Sequence, residues 1–116
     1  VRESGLRPRE VVMREGSVSS HVQQALDELG AEVDGSIAII PPTRWHEDLR
    51  TFEGALEGRV QVIDPLSSKG LEWDATIVLD PDGIAEESPG GARVLYVVLT
   101  RAAHRMTVLR PETYYR

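Results

Sequence analysis

Hydrophobic positions along the chain fall into short unbroken runs that alternate with helical repeats. Val11-Val12-Met13, inside the stretch 9–15, predicts a buried strand. Ser17 is placed as an N-cap, and Val18, Val22, Ala25, Leu26 and Leu29 follow at helical spacing up to a stop at Gly30. Ser36 to Ile40 predicts a second strand, closed by Pro41-Pro42. Thr43 is then a fresh N-cap. Trp45, Leu49, Phe52 and Leu56 repeat as one face of an amphipathic helix ended by Gly58. Val60 to Ile63 predicts a third strand and Ala75 to Leu79 a fourth, ended by a turn at Asp80-Pro81-Asp82-Gly83. Glu86 to Gly91 reads as a loop. Ala92 to Ala103 reads as a helix apolar nearly all round and therefore deeply buried, and Arg105 to Leu109 as a last strand.

The order is βαβαββαβ. Aliphatic strands alternating with helices imply an α/β fold, a mostly parallel sheet with helices on both faces. Ligands in such folds sit outside the carboxyl ends of the strands. That expectation singles out two loops, 64–74 and 86–91. The chain shows neither an internal repeat nor a low-complexity tract.

Composition narrows the function classes. At 116 residues the chain can bury one core, and 41 % hydrophobic with 28 % charged residues is an ordinary globular balance. With no cysteine, disulfides and thiolate metal sites do not apply. His21, His46 and His104 sit on three separate elements without ligand spacing, so no metal site is expected. Nineteen acids against 13 bases give a net charge of −6, without the basic stripe of a duplex-binding module. No apolar run is long enough to span a membrane, and no secretory leader is recognisable, so a cytoplasmic location is expected. The chain opens without methionine. It therefore reads as a domain excised from a longer protein, with a linker at 1–8, one domain at 9–110 and a tail at 111–116.

Two segments carry chemistry. The first is Asp64-Pro65-Leu66-Ser67-Ser68-Lys69-Gly70-Leu71-Glu72-Trp73-Asp74, directly after a strand. It is either a polar loop with a glycine turn, or a loop that touches a nucleotide. In the second case Gly70 permits close backbone approach, Glu72 accepts from ribose hydroxyls, and Ser67, Ser68 and Lys69 meet phosphates. The second segment is the apolar run Leu95-Tyr96-Val97-Val98-Leu99 ending in Thr100-Arg101-Ala102. Arg101 is either a helix-end cation facing the dipole or an anion-binding fork of the kind that senses a γ-phosphate. Trp45 and Phe52 read as core side chains rather than a base-stacking platform. Asp80 and Asp82 read as turn chemistry, and Tyr114 and Tyr115 as tail.

Taken together, "SKGLEWD" after one strand and "VLYVVLTRA" further on resemble motifs V and VI of the UvrD/Rep family of superfamily 1 helicases, whose usual forms are close to "KGLEF" and "LYVA(L/V)TRA". The resemblance is sharp over Val60 to Leu109 and topological over 1–59. It implies a three-layer RecA-like (P-loop NTPase-like) fold, the family's 2A domain in part. By resemblance Glu72 contacts the ATP ribose, Gly70 shapes its loop, and Arg101 reaches the γ-phosphate across an interdomain cleft. Thr100 matches as a local cap, Tyr96 as a mainly structural position, and Trp73 as the aromatic that pins the loop.

The departures matter as much. The family usually has Thr-Leu-His before this glycine motif, and the histidine helps hold single-stranded DNA; here Asp64, Pro65 and Leu66 stand there. Gly90 and Gly91 stand where an acidic pair often precedes motif VI. Such a divergent sequence is compatible with a branch that associates with RNA polymerase. There is no G-x-x-x-x-G-K-[ST] phosphate loop and no paired acids after a strand for magnesium, and the motif IV arginine is expected upstream of Val1. The resemblance thus implies half of an ATP site. The intact protein would use ATP and Mg2+ as a 3′ to 5′ DNA helicase or translocase, with an N-terminal RecA-like domain and single-stranded DNA as partners. The fragment alone would be inactive and bind no cofactor stably. Two rivals remain: an ATP-switched factor that remodels a protein partner such as RNA polymerase, and a degenerate helicase-like interaction module with Arg101 tied into an internal salt bridge.

Overall fold

Each aliphatic run becomes a strand. In the computed structural model, which describes residues 7–14 and 17–112, the strands are β1 (Arg9–Met13), β2 (Ile37–Ile40), β3 (Val60–Val62), β4 (Trp73–Leu79) and β5 (Ala102–Pro111). They form one sheet in the order β1-β5-β4-β2-β3, with every neighbouring pair parallel. The outer parts of the expected linker and tail, 1–6 and 113–116 with Tyr114 and Tyr115, lie outside the described residues, as do Glu15 and Gly16.

Helices cover both faces. On one face α1 (Val18–Glu32) buries Val22, Ala25, Leu26 and Leu29 against Ile37, Ile39, Ala75, Ile77, Leu79 and Leu109. On the other, α3 (Pro81–Glu86) and α4 (Gly91–Val98) pack Ile84 and Val98 onto Ala38, Ile40, Val78, Met106 and Val108. The central strands β2 and β4 are buried on both sides, which is why they read as unbroken aliphatic runs. No helix of the described residues is long and apolar enough to cross a membrane.

Four local expectations are corrected. Ser17 caps α1 as expected, its Oγ accepting from Ser20 N–H at 3.0 Å, but the helix runs past Gly30 to Glu32. Gly30 serves packing instead: a Cβ there would lie 2.9 Å from Leu56 Cδ1. The amphipathic helix expected over 43–58 is replaced by 3-10 turns at Thr43–Trp45 and Glu47–Phe52, followed by the single turn α2 (Ala55–Gly58). Three-residue periodicity buries Leu49 and Phe52 together. Glu53 then accepts from Val62 N–H at 2.8 Å, and Gly54 N–H donates to Val60 O at 2.9 Å. These bonds pull the chain back to the sheet before a regular helix can continue.

The turn expected at 80–83 is the start of α3. Asp80 caps it by accepting from Gly83 N–H at 3.1 Å, with Pro81 in the first turn, and Arg44 pairs with the Asp80 carboxylate at 2.7 Å. Finally, the buried helix expected over 92–103 ends at Val98, and β5 takes over at Ala102. Only Gly91 and Val98 of α4 are fully buried, and Tyr96 is 59 % exposed. Tyr96 therefore does not hold the helix in the core.

Candidate nucleotide-facing site

The two motif segments converge, but at the amino edge of the sheet. Glu72 immediately precedes β4 and Arg101 immediately precedes β5, and these strands are parallel neighbours. A residue that enters a parallel strand must lie at its amino end. The chain after β3 leaves the carboxyl edge at Asp64, passes through a 3-10 turn at Pro65–Ser68, and crosses back to deliver Gly70 and Glu72. The site expected beyond the carboxyl ends is thus moved to the opposite edge. Only the Asp64 end of the loop and the 86–91 loop, where Glu87 accepts from Thr43 N–H at 2.9 Å, sit near the carboxyl edge.

Arg101 straddles Glu72. Its Nη1 donates to Leu71 O at 3.0 Å, while its own backbone carbonyl accepts from Trp73 N–H at 3.0 Å. Its Nε donates to Val97 O at 3.0 Å and its Nη2 to Thr100 Oγ1 at 3.0 Å. Each nitrogen of the guanidinium therefore has one neutral partner, and Nη1 and Nη2 each keep a second N–H. Val97 O belongs to the last turn of α4, where unpaired carbonyls and the helix dipole favour a cation. Among the described residues Arg101 meets no carboxylate. The half-buried cation is oriented without being neutralised, and its remaining donors suit a phosphate.

Glu72 is exposed and makes no hydrogen bond among the described residues. Gly70 has φ +81°, and a Cβ there would meet nothing within 4 Å. The glycine is required by backbone conformation, and the site carries no close contact that needs its missing side chain. Gly70→Ala should accordingly cost about 1–2 kcal/mol of stability, the strain of a left-handed alanine, and Gly70→Asn less. Urea unfolding of the three chains checks this order.

Trp73 anchors the loop from beneath. Its Nε1 donates to Gln61 Oε1 on β3 at 2.8 Å, and the ring is buried in the cluster that contains Ala38 of the intervening strand. The β4–β5 register shifts between Trp73 and Ala75. The shift turns Trp73 to the face opposite Ala75, Ile77 and Leu79, beneath α4.

Residues 62–109 match the family model of the UvrD-like helicase C-terminal domain. Over that span the chain is similar to the UvrD-like helicase C-terminal domain. The matched span runs from the end of β3 into β5, so it contains the whole site but less than half of the 116 residues. Among solved structures, the C-terminal domain of a possible DNA helicase from a Lactobacillus (strain WCFS1) superposes with a TM-score of 0.62 at 24 % identity, covering 89 % of this chain and 73 % of that one. That likeness is one of fold. No curated protein sequence matches the chain.

The fold distributes the remaining sequence candidates unevenly. Ser67 is exposed and donates to Asp64 Oδ2 at 3.0 Å. Ser68 is buried and donates to Pro65 O at 2.8 Å, so its hydroxyl ties the turn and is turned away from solvent. Lys69 is exposed. Thr100 is the local cap that its position suggests, donating to Val97 O at 2.8 Å. Among the described residues no group of His, Asp or Glu is placed to hold a metal ion. Sequence reading missed the two carbonyls that hold Arg101, at Leu71 and Val97. No residue type signals them, because every residue carries a carbonyl. Leu66 (71 % exposed), Leu71 (48 %), Tyr96 and Leu99 (36 %) put large apolar side chains on the segments that converge on Arg101.

Proposed function

We propose that this UvrD-like domain is the C-terminal motor subdomain of an ATP-dependent DNA helicase or translocase, moving 3′ to 5′ by family resemblance. ATP and Mg2+ are held chiefly by an N-terminal RecA-like domain of the same protein. Arg101 reaches the γ-phosphate, Glu72 the ribose, and Gly70 lets the loop take its shape. The observation that carries this reading is the Arg101 guanidinium, fixed by three neutral acceptors and left without a carboxylate among the described residues. A degenerate module would instead bury that charge in an internal ion pair. Leu71, whose carbonyl holds Arg101, and Leu99, two residues before Arg101, are exposed apolar side chains that suit a surface that meets a second domain.

A second reading has its own support. Leu66 is 71 % exposed where the family places its strand-binding histidine, and Asp64 beside it repels phosphate. This favours an ATP-switched factor that remodels a protein partner such as RNA polymerase. Ser67 and Lys69 are the exposed groups left for single-stranded DNA.

Two measurements test these readings. The isolated chain should show no ATP turnover, because its site is divided; turnover by the chain alone that Arg101→Ala abolishes would overturn the division. In the intact protein, strand unwinding measured beside DNA-stimulated ATPase separates the two roles. ATPase coupled to unwinding supports the motor, and nucleotide-dependent partner release without unwinding supports the remodelling factor.

A further inference from the structure

We infer that Thr100 is a positioning residue for Arg101, an inference that rests on the reading of Arg101 as the γ-phosphate ligand. A threonine hydroxyl has one proton. Here it goes to Val97 O at 2.8 Å, which leaves lone pairs facing Arg101 Nη2 at 3.0 Å. The hydroxyl is therefore locked as an acceptor toward the guanidinium. The same Val97 carbonyl accepts from Arg101 Nε at 3.0 Å and from Thr100 N–H at 3.0 Å. One edge of the guanidinium is thus pinned to the end of α4 at two points, and Leu71 O holds Nη1 from the other segment at 3.0 Å. Without Thr100 Oγ1, Nη2 has no acceptor on the α4 side, and the guanidinium can rotate away from its pose.

Orientation matters here because a flexible arginine gives up rotamer freedom when it engages a phosphate, and a pre-oriented fork gives up less. The benefit falls on the transition state, where charge at the transferring phosphoryl group is met by fixed donors. Thr100→Val keeps the shape and β-branching and removes only the hydroxyl. Val97 O retains two other donors in that variant, so the helix end stays satisfied.

The test is ATPase of the intact protein in four forms: wild type, Thr100→Val, Thr100→Ser and Arg101→Ala. The expected result is a kcat about tenfold lower for Thr100→Val with KM for ATP little changed, and wild-type kcat for Thr100→Ser, which restores the hydroxyl. Thermal unfolding of Thr100→Val should match wild type. If Thr100→Val turns over normally while Arg101→Ala does not, the positioning role is overturned and the γ-phosphate reading stands. If Arg101→Ala also turns over normally, the γ-phosphate reading itself falls and the inference falls with it. If Thr100→Ser is as slow as Thr100→Val, or if Thr100→Val unfolds, Thr100 serves packing and the positioning role is overturned.

Discussion

Arg101→Ala in the intact protein should lower ATP turnover by about 10³–10⁵-fold, the contribution of an arginine that meets γ-phosphate charge in phosphoryl transfer. The expectation follows from how Arg101 is held. Three neutral acceptors, Val97 O, Leu71 O and Thr100 Oγ1, orient the fork without cancelling its charge. Arg101→Lys should fail nearly as badly. An ammonium on a flexible stem cannot reach Val97 O, Leu71 O and Thr100 Oγ1 together while presenting two parallel donors to an anion. The fold should survive both changes. Val97 O keeps the Thr100 N–H and hydroxyl as donors, and the bond to Leu71 O is exposed, so water can replace it. Steady-state ATPase together with a thermal melt checks both halves. Near-normal turnover in either variant removes the γ-phosphate assignment.

The second large effect lies at the other end of the same helix. Gly91→Ala should destabilise the domain by about 2 kcal/mol, roughly a 10 °C fall in Tm for a domain of this size. A Cβ at Gly91 would lie 2.0 Å from the Ala85 carbonyl oxygen and 2.6 Å from its carbon. Those atoms are backbone at the end of α3, so no side chain can rotate aside. α4 must lift away from α3, and it carries Thr100 and Arg101 at its far end. Gly90→Ala is the matched control. That position is exposed, has φ −96°, and offers nothing within 4 Å of an added Cβ, so its melt should lie within about 0.5 kcal/mol of wild type. Two adjacent glycines with opposite tolerance would establish that the α3–α4 contact sets the height of the helix that delivers Arg101. Equal melts for the two variants would exclude it.

The same pair shows where sequence reading stops. Gly90 and Gly91 are indistinguishable in the sequence, both reading as loop residues where the family often has acids. Only the packing of α4 on α3 separates them. Gly30 is a parallel case: as a residue type it reads as a helix stop, and in the fold it makes room for Leu56. Trp45, Leu49, Phe52 and Leu56 have helical spacing, yet the bonds from Glu53 and Gly54 to β3 bring the chain home by 3-10 turns. Asp80-Pro81 reads as turn chemistry in the sequence, whereas in the fold Asp80 is a cap and Pro81 a first-turn proline that together open a helix.

What the sequence alone determined is local. The aliphatic runs mark all five strands, because a parallel strand buried on both faces has no polar alternation to obscure it. The Ser17 cap marks the start of α1, and the glycine-glutamate and threonine-arginine motifs name Gly70, Glu72, Thr100 and Arg101. The tertiary structure decided where those residues stand. Parallel topology carries Glu72 and Arg101 to the amino edge, since each is the last residue before a strand. Arg101 then reaches Leu71, 30 residues away in the chain, and shares Val97 O with Thr100. Helical and strand periodicities report which face is buried over a few residues. They carry no information on which backbone carbonyl from a distant segment will meet a side chain, and those carbonyls are what hold the arginine.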